Sequence, residues 1–314
     1  PDAEITWVVQ SIPAQAIDGH PSVDRLITYN RRMGFRKWLA FLNRMRHEHF
    51  DLLVIPQVSA KASIIATAIR SPVKIGFDFN RARELSWLAT NRKIPRREPG
   101  HVLDQFIEFV HYLDIEYEHP VWGFSFSHGE LAWRDDFFSQ FQEDVAIFVP
   151  ASSKVEKDWK PAGYAKVIDS VKSSLPLEPI IVGGPGKREK MLAEEICSLT
   201  ECKPLIALEK PVRNTLLQLS GARVVVAPDT GPLHMAVALG VPTIGLYGFS
   251  NPNRCGPYIF KELLIDKFNE DPKHPEPITR RTKPGRMDLI TPEEVFEKIR
   301  DSLSVPFNPD YPLK

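Results

Sequence analysis

Two doubly wound α/β halves, each built on a parallel sheet, are what the sequence predicts. Short apolar runs rich in Val and Ile alternate with helical stretches along most of the chain, as in parallel sheets covered on both faces. The stretch Val224 to Gly248, VVVAPDTGPLHMAVALGVPTIGLYG, holds a complete strand–loop–helix–strand unit. A length of 314 residues is enough for two domains of ordinary size.

In chain order, Glu4 to Gln10 (EITWVVQ) reads as a strand. Doubly wound domains usually begin with a strand whose following loop faces the ligand. That first strand, loop and helix are expected to lie ahead of the sequence in hand. Val23 to Tyr29 is the next strand. Arg31, Arg32, Arg36 and Lys37 cluster around Trp38 and lead into a helix through Phe41, Leu42 and Met45. Alone, such a cluster suits a solvated helix face as well as an anion site. Phe50 to Pro56 is a buried strand, Gln57, Ser59 and Lys61 open a helix over Ala62 to Ile69, and Val73 to Phe77 is a strand. Asp78 to Glu84 (DFNRARE) is a polar loop bearing Arg83. Gly100 to Leu113 reads as one helix, with Val102, Phe106, Phe109 and Val110 on a common stripe.

Between Pro120 and Trp133 the pattern breaks and is read as a linker. This gives a first domain over 1–133 and a second over 134–314, whose last helix is a candidate to pack back on the first. Asp144 to Pro150 restarts the alternation. Its exit carries Ser152, Ser153 and Lys157 ahead of a helix over Ala162 to Val171. Hydroxyls and a lysine at a helix entrance suit a diphosphate, though a capped, solvated loop has the same composition. Pro179 to Val182 is a strand ending in Gly183-Gly184-Pro185-Gly186, glycine-rich but not the G-x-G-x-x-G fingerprint. Leu216 to Leu219 is helical, and Val224 to Val226 is the central strand. Asp229-Thr230-Gly231-Pro232 then turns into a helix over His234 to Leu239, which Gly240 ends before the strand Thr243 to Tyr247. A polar loop at the carboxyl end of a parallel strand is where open sheets bind ligands, and the helix N-terminus behind it suits phosphate. Ile290-Thr291-Pro292-Glu293-Glu294 starts the last helix with a Thr cap and acids against the dipole.

Lys and Arg balance Asp and Glu at zero net charge, which argues against a dedicated nucleic-acid binder. The three cysteines have no metal-ligand spacing; Cys197 and Cys202 read as near the end of one helix, in a chain suited to a reducing cytoplasm. No apolar run approaches the ~20 residues of a membrane span, and no signal peptide is legible. Trp122, Phe124 and Phe126 beside His128 are candidates for lipid contact, with buried packing the favoured use.

PDTGPLHMAVALGVPTIGLYG closely resembles the donor motif of glycosyltransferase family 9, the ADP-heptose:lipopolysaccharide heptosyltransferases. SSKVEKDW, DFNRARE, Asn91-Arg92-Lys93, NPNRCGPY, KPGRM and ITPEEV extend the resemblance over nearly the whole chain, toward the heptosyltransferase I-like branch. It implies a GT-B fold: two Rossmann-like domains facing across a cleft. It implies inverting transfer of heptose from ADP-L-glycero-D-manno-heptose to the Kdo region of the lipid A inner core, with no metal or cofactor. By matching position, Asp229, Thr230, Gly231 and His234 would line the donor pocket. Ser152, Ser153 and Lys157 would hold phosphate, with Lys157 stabilising the leaving ADP; Glu189 is a candidate for the adenosine ribose. Arg31, Arg32, Arg36, Lys37, Lys61 and Arg83 would meet the acidic acceptor. The resemblance puts the catalytic base, an Asp, in the loop after the family's first strand, outside the sequence in hand. His234 has the chemistry of a base but is read as donor or loop support. The expected setting is the cytoplasm, soluble or peripheral at the inner membrane of a Gram-negative cell.

Three other readings stay open: a GT-B transferase with another nucleotide sugar or acceptor, a silent nucleotide-sugar binder, and a Rossmann dehydrogenase. The last is disfavoured because no strand is followed by the dinucleotide fingerprint.

Overall fold

The computed structural model describes residues 2–208, 211–271 and 274–306. They form two compact units. One gathers the residues up to Trp7, Ile12–Leu26 and those from Val121 on; the other comprises Val8–Ser11 and Ile27–Pro120. The strand β1 (Thr6–Gln10), the helix α1 (Ser11–Ile17) and the strand β2 (Arg25–Tyr29) are shared between them, β1 pairing with β2.

The smaller unit continues through α2 (Phe35–Met45), β3 (Leu52–Ile55), α3 (Ala60–Ala68), β4 (Val73–Gly76), a 3-10 turn over Ser86–Ala89, β5 (Arg92–Lys93) and α4 (Val102–Tyr112). β3, β4 and β5 form a parallel sheet in that order. α2 turns Phe41 and Met45 inward against Ile27, Tyr29, Ile65 and Ile69, while Ser59 caps α3 by accepting from the Ala62 N–H. α4 seats Phe109 edge-on to Phe77, with ring centres 5.0 Å apart.

The larger unit runs through α5 (His128–Ser139), β6 (Asp144–Phe148), α6 (Pro161–Ser174), β7 (Leu177–Gly183), α7 (Lys187–Leu199), β8 (Leu205–Leu208), α8 (Val212–Ser220), β9 (Val224–Pro228), α9 (Gly231–Ala238), β10 (Thr243–Tyr247), α10 (Pro252–Cys255), β11 (Ile265–Asp266) and α11 (Pro292–Ser302). Its strands form one parallel sheet in the order β11-β10-β9-β6-β7-β8. β6, β9 and β10 are apolar through their interiors because helices cover both faces, and almost every side chain in them is buried. From β6 the chain winds outward to β7 and β8, then returns to the other side for β9, β10 and β11. The reversal lies between β6 and β9, where Ile147 pairs with Val225 and Phe148 with Val226.

One reading needs correction. Pro120 to Trp133 is not a linker throughout: α5 starts at His128 behind a capping box in which Ser127 and Glu130 satisfy each other's N–H groups. Phe124 and Phe126 pack against the core of the larger unit, the use favoured for them, and Phe126 lies 4.6 Å under the Arg213 guanidinium. Cys197 sits in the last turn of α7 and Cys202 just past its end, so both lie near the end of one helix as read. The last helix buries Val295 and Ile299 against α6 and β10, which uses its apolar face within the larger unit. Among the described residues no helix is long and apolar enough to cross a membrane.

Candidate active site

Asp229 follows the last residue of β9, and Lys157 closes a short 3-10 turn that follows β6. These neighbouring strands flank the reversal of strand order, so both side chains reach the carboxyl edge of the sheet at its switch point. Ligands of open α/β sheets bind in that crevice. Lys157 Nζ donates to Asp229 Oδ2 at 2.6 Å and to the Asp229 carbonyl at 3.2 Å. His234, one turn into α9, places Nε2 3.4 Å from Asp229 Oδ1. The Cys255 thiol approaches Oδ2 at 3.7 Å, held there by Tyr247, whose hydroxyl donates to the Cys255 carbonyl at 2.6 Å.

This environment decides the charge on Asp229. Burial opposes ionisation, but hydrogen bonds from His234, Lys157 and Ser250 and the positive charge of Lys157 outweigh it, holding the carboxyl well below the usual carboxylate range. Burial, and then the Asp229 charge, push the Cys255 thiol up to about 12. Asp229 is therefore an anion that fixes an ammonium through one oxygen and an imidazole through the other. Thr230 is the N-cap of α9 yet makes no capping hydrogen bond with its side chain. Gly231 is exposed, and a Cβ placed there would meet nothing within 4 Å. No packing demand explains that glycine; a bare backbone beside the positive end of a helix suits a phosphate.

Three of the expected donor residues are thus joined directly: Lys157, Asp229 and His234, with Thr230 and Gly231 adjoining. Ser152 is used differently. It is buried, its hydroxyl donates to the Lys154 carbonyl at 2.6 Å, and its N–H donates to Asp158 Oδ1 at 2.8 Å. Ser153 is exposed. Arg188, in the first turn of α7, donates to both the Asp158 carboxylate and the Ser152 carbonyl and so pins the loop that carries Lys157. Sequence reading missed Asp158, Arg188 and Cys255, because partners 30 residues apart leave no local pattern. Glu189, half-buried in the same turn, folds its carboxylate over Gly186.

The basic residues lie in the smaller unit. Arg31, Arg32, Arg36 and Lys37 are exposed on the approach to α2 and its first turn; Lys61 and Arg83 are exposed as well. Lys61 Nζ donates to the Arg31 carbonyl at 2.5 Å and stands 5.6 Å over the Trp38 ring. Arg32, Arg36 and Lys37 line one concavity of about 690 Å³. Arg83 sits apart from that concavity, its N–H donating to Ser86 Oγ at 3.1 Å. Among the described residues no group of three or more His, Cys, Asp or Glu is placed to hold a metal ion.

The doubly wound parallel sheet, with polar side chains converging at its switch point, is an α/β fold of the GT-B class. The chain is similar in fold to the family 9 glycosyltransferase of Veillonella parvula, with TM-score 0.78, 19% identity and coverage of 96% of this chain and 88% of that one. It is likewise similar to the Escherichia coli heptosyltransferase WaaC with ADP, with TM-score 0.72, 22% identity and coverage of 96% and 91%. The model of glycosyltransferase family 9 (heptosyltransferase) matches residues 38–277, and the chain belongs to that family. It is 32% identical over 272 residues to the lipopolysaccharide core heptosyltransferase OpsX of Haemophilus influenzae, covering 86% of this chain and 78% of that protein. Against lipopolysaccharide heptosyltransferase 1 of E. coli it is 28% identical, covering 82% of each. It is a glycosyltransferase.

Proposed function

We propose that this enzyme transfers L-glycero-D-manno-heptose from ADP-heptose to the Kdo region of a lipopolysaccharide inner core, with inversion at the anomeric carbon. The observation that carries the donor side is the Lys157–Asp229–His234 constellation at the switch point, at the mouth of α9. The diphosphate lies against the α9 N-terminus, and the Lys157 ammonium neutralises charge as the anomeric carbon–oxygen bond to ADP breaks. Asp229 is a positioning residue, presenting the ammonium and the imidazole at fixed separation. Ser153 and Thr230 supply hydroxyls, Glu189 meets the ribose, and Ser152 shapes the loop. Arg31, Arg32, Arg36, Lys37, Lys61 and Arg83 receive the carboxylates and phosphates of the acceptor. His234 serves the donor, and the base for the acceptor hydroxyl is left unassigned.

These cationic groups take the place of a metal, so the reaction is proposed to proceed in EDTA without loss of rate. The enzyme works in the cytoplasm as a peripheral protein at the inner membrane, where a lipid-linked acceptor is met. The test is ADP release from ADP-heptose with and without Kdo-bearing lipid A. Acceptor-dependent release, with kcat/KM lowered at least a hundredfold in Lys157→Ala, is expected. Binding of ADP-heptose without release would assign a silent binder, and release from a different sugar nucleotide alone would move the enzyme to another donor.

A further inference from the structure

We propose that the smaller unit docks on the surface of an anionic phospholipid bilayer through an apolar ridge made by α2, α3 and the Ser86–Ala89 turn. On α2, Phe41 and Met45 point into the core and Leu42 is partly buried against it, which leaves Phe35 and Leu39, at i and i+4, exposed along the edge that leads to Leu42. Phe35 is 75% exposed and Leu39 49%. Leu42 continues that edge into a groove of about 500 Å³, whose walls include Ile64 and Ala68 of α3 and Leu85 and Leu88 of the turn. Ile64 is 45% exposed, Leu85 57% and Leu88 72%. Single exposed apolar side chains need no explanation, but a contiguous ridge of them marks a contact surface.

The backbone supports the same reading. Glu84 and Leu85 have φ of 49° and 62°, a left-handed conformation that bulky L-residues rarely adopt. A solvated loop would put Gly or Asn there; here the strained position carries a leucine turned to the outside.

Charge selects the occupant. Between Arg25 and His47 the chain carries seven Arg and Lys and no Asp or Glu. The acid at the groove is Glu84, and its carboxylate accepts from the Ala60 N–H at 2.5 Å, at the N-terminus of α3. Apolar side chains framed by arginine and lysine suit the interface of a membrane with anionic lipid, where area and charge act together. A second copy of the chain would bring the same cations against themselves, which disfavours self-association through this face. The proposal rests on a lipid-linked acceptor only in its purpose: docking would hold Arg32, Arg36 and Lys37 at headgroup level.

Co-sedimentation with phosphatidylcholine vesicles, with and without phosphatidylglycerol, tests it, using neither donor nor lipopolysaccharide. Binding to the anionic vesicles is expected, weak on neutral ones and falling with salt. The double variant Phe35→Ser/Leu88→Ser should lower the partition coefficient about tenfold or more. Arg44→Gln/Arg46→Gln should lower it about tenfold on anionic vesicles only. All four side chains are exposed, so unchanged thermal melting is the check that the variants fold. Undiminished binding of the apolar double variant, or equal binding to both vesicle types, overturns the proposal. So does a concentration-dependent dimer that this variant abolishes, which would assign the ridge to a second copy. Vesicle binding without ADP release on Kdo-bearing lipid A would leave the docking surface standing and remove the heptosyl reading. Release on a soluble deacylated acceptor with no vesicle binding would do the reverse.

Discussion

Replacing Lys157 by Met keeps the length of the side chain and removes its charge, which leaves Asp229 facing a hydrophobic tip. In the intact protein the ammonium sits 2.6 Å from the carboxylate, and the two side chains are 17% and 14% exposed. Removing one partner of a fully buried pair costs about 3–5 kcal/mol. Partial exposure and the remaining donors on His234 and Ser250 reduce this to about 2–3 kcal/mol at pH 7.5. For a unit of this size that is a melting temperature lower by roughly 5–10 °C. The pH dependence is the sharper test. The folded pKa of Asp229 lies below its unfolded value of about 3.9. Its stabilisation is therefore complete above about pH 5 and is lost as pH falls toward the folded pKa. The His234 hydrogen bond and then the hydrogen bond and positive charge of Lys157 produce that depression, so removing Lys157 raises the folded pKa and the gap between the two proteins should narrow as pH falls below about 4. Thermal unfolding of both across that range is the measurement. Equal stability at pH 7.5, or a gap that widens in acid, would refute the assignment of Lys157 as a stabilising charge partner of Asp229.

Two glycines should separate packing from ligand approach. A Cβ at Gly248 would lie 2.5 Å from the backbone of Arg286 and Met287, so Gly248→Ala should cost about 2–3 kcal/mol in urea unfolding. Gly231→Ala points into open space and should leave stability within about 0.5 kcal/mol while weakening ADP in calorimetric titration. Arg188→Ala frees the loop that carries Lys157 and should raise the donor KM about tenfold, with little change in melting. Glu130 is held at about 2, chiefly by its hydrogen bond from Arg213. Glu130→Gln should therefore cost about 1–2 kcal/mol near pH 7, a difference that shrinks as pH falls from about 4.5 toward 2 in denaturant titrations. Cys255, with its thiol pushed up to about 12, should react with iodoacetamide at pH 8 about a hundredfold more slowly than an ordinary thiol, and Asp229→Asn should speed it.

The strands of the larger unit were legible because a strand buried on both faces is written as an uninterrupted apolar run. Asp144 to Phe148, Val224 to Pro228 and Thr243 to Tyr247 need no partner to be recognised. β8 was not read as a strand: four residues, Leu205 to Leu208, give too little pattern between the prolines that bound them. α5 was lost for another reason. Its apolar face comes from aromatic residues, Trp133 and Phe137, stacked 5.5 Å apart at i and i+4, and the preceding Phe124 and Phe126 mask that period. The Ser127-x-x-Glu130 signal was present and would have located the start.

At the site, a motif located residues but not their contacts. Asp229 and Lys157 both stood in recognisable stretches, yet their pairing across 72 positions follows only from the adjacency of β6 and β9. Ser152 shows the converse: a hydroxyl read as a phosphate ligand is used up inside its own loop.

If the proposed donor site is right, the pairing also explains why an acid belongs in a pocket for an anion. A lysine beside the positive end of α9 would be pushed toward solvent with nothing to hold it. Asp229 counters both charges and anchors the ammonium through one oxygen and the backbone carbonyl. In the proposed reaction an arriving diphosphate would meet Lys157 already oriented and a helix N-terminus whose cap side chain makes no capping bond. The ordering of a flexible side chain has been met by folding rather than by binding. On the same proposal the carboxylate stays behind, and its repulsion with the released ADP would favour departure once the sugar bond is broken. On that proposal one acid serves both the assembly of the site and its clearing, and it stands where the winding of the sheet reverses.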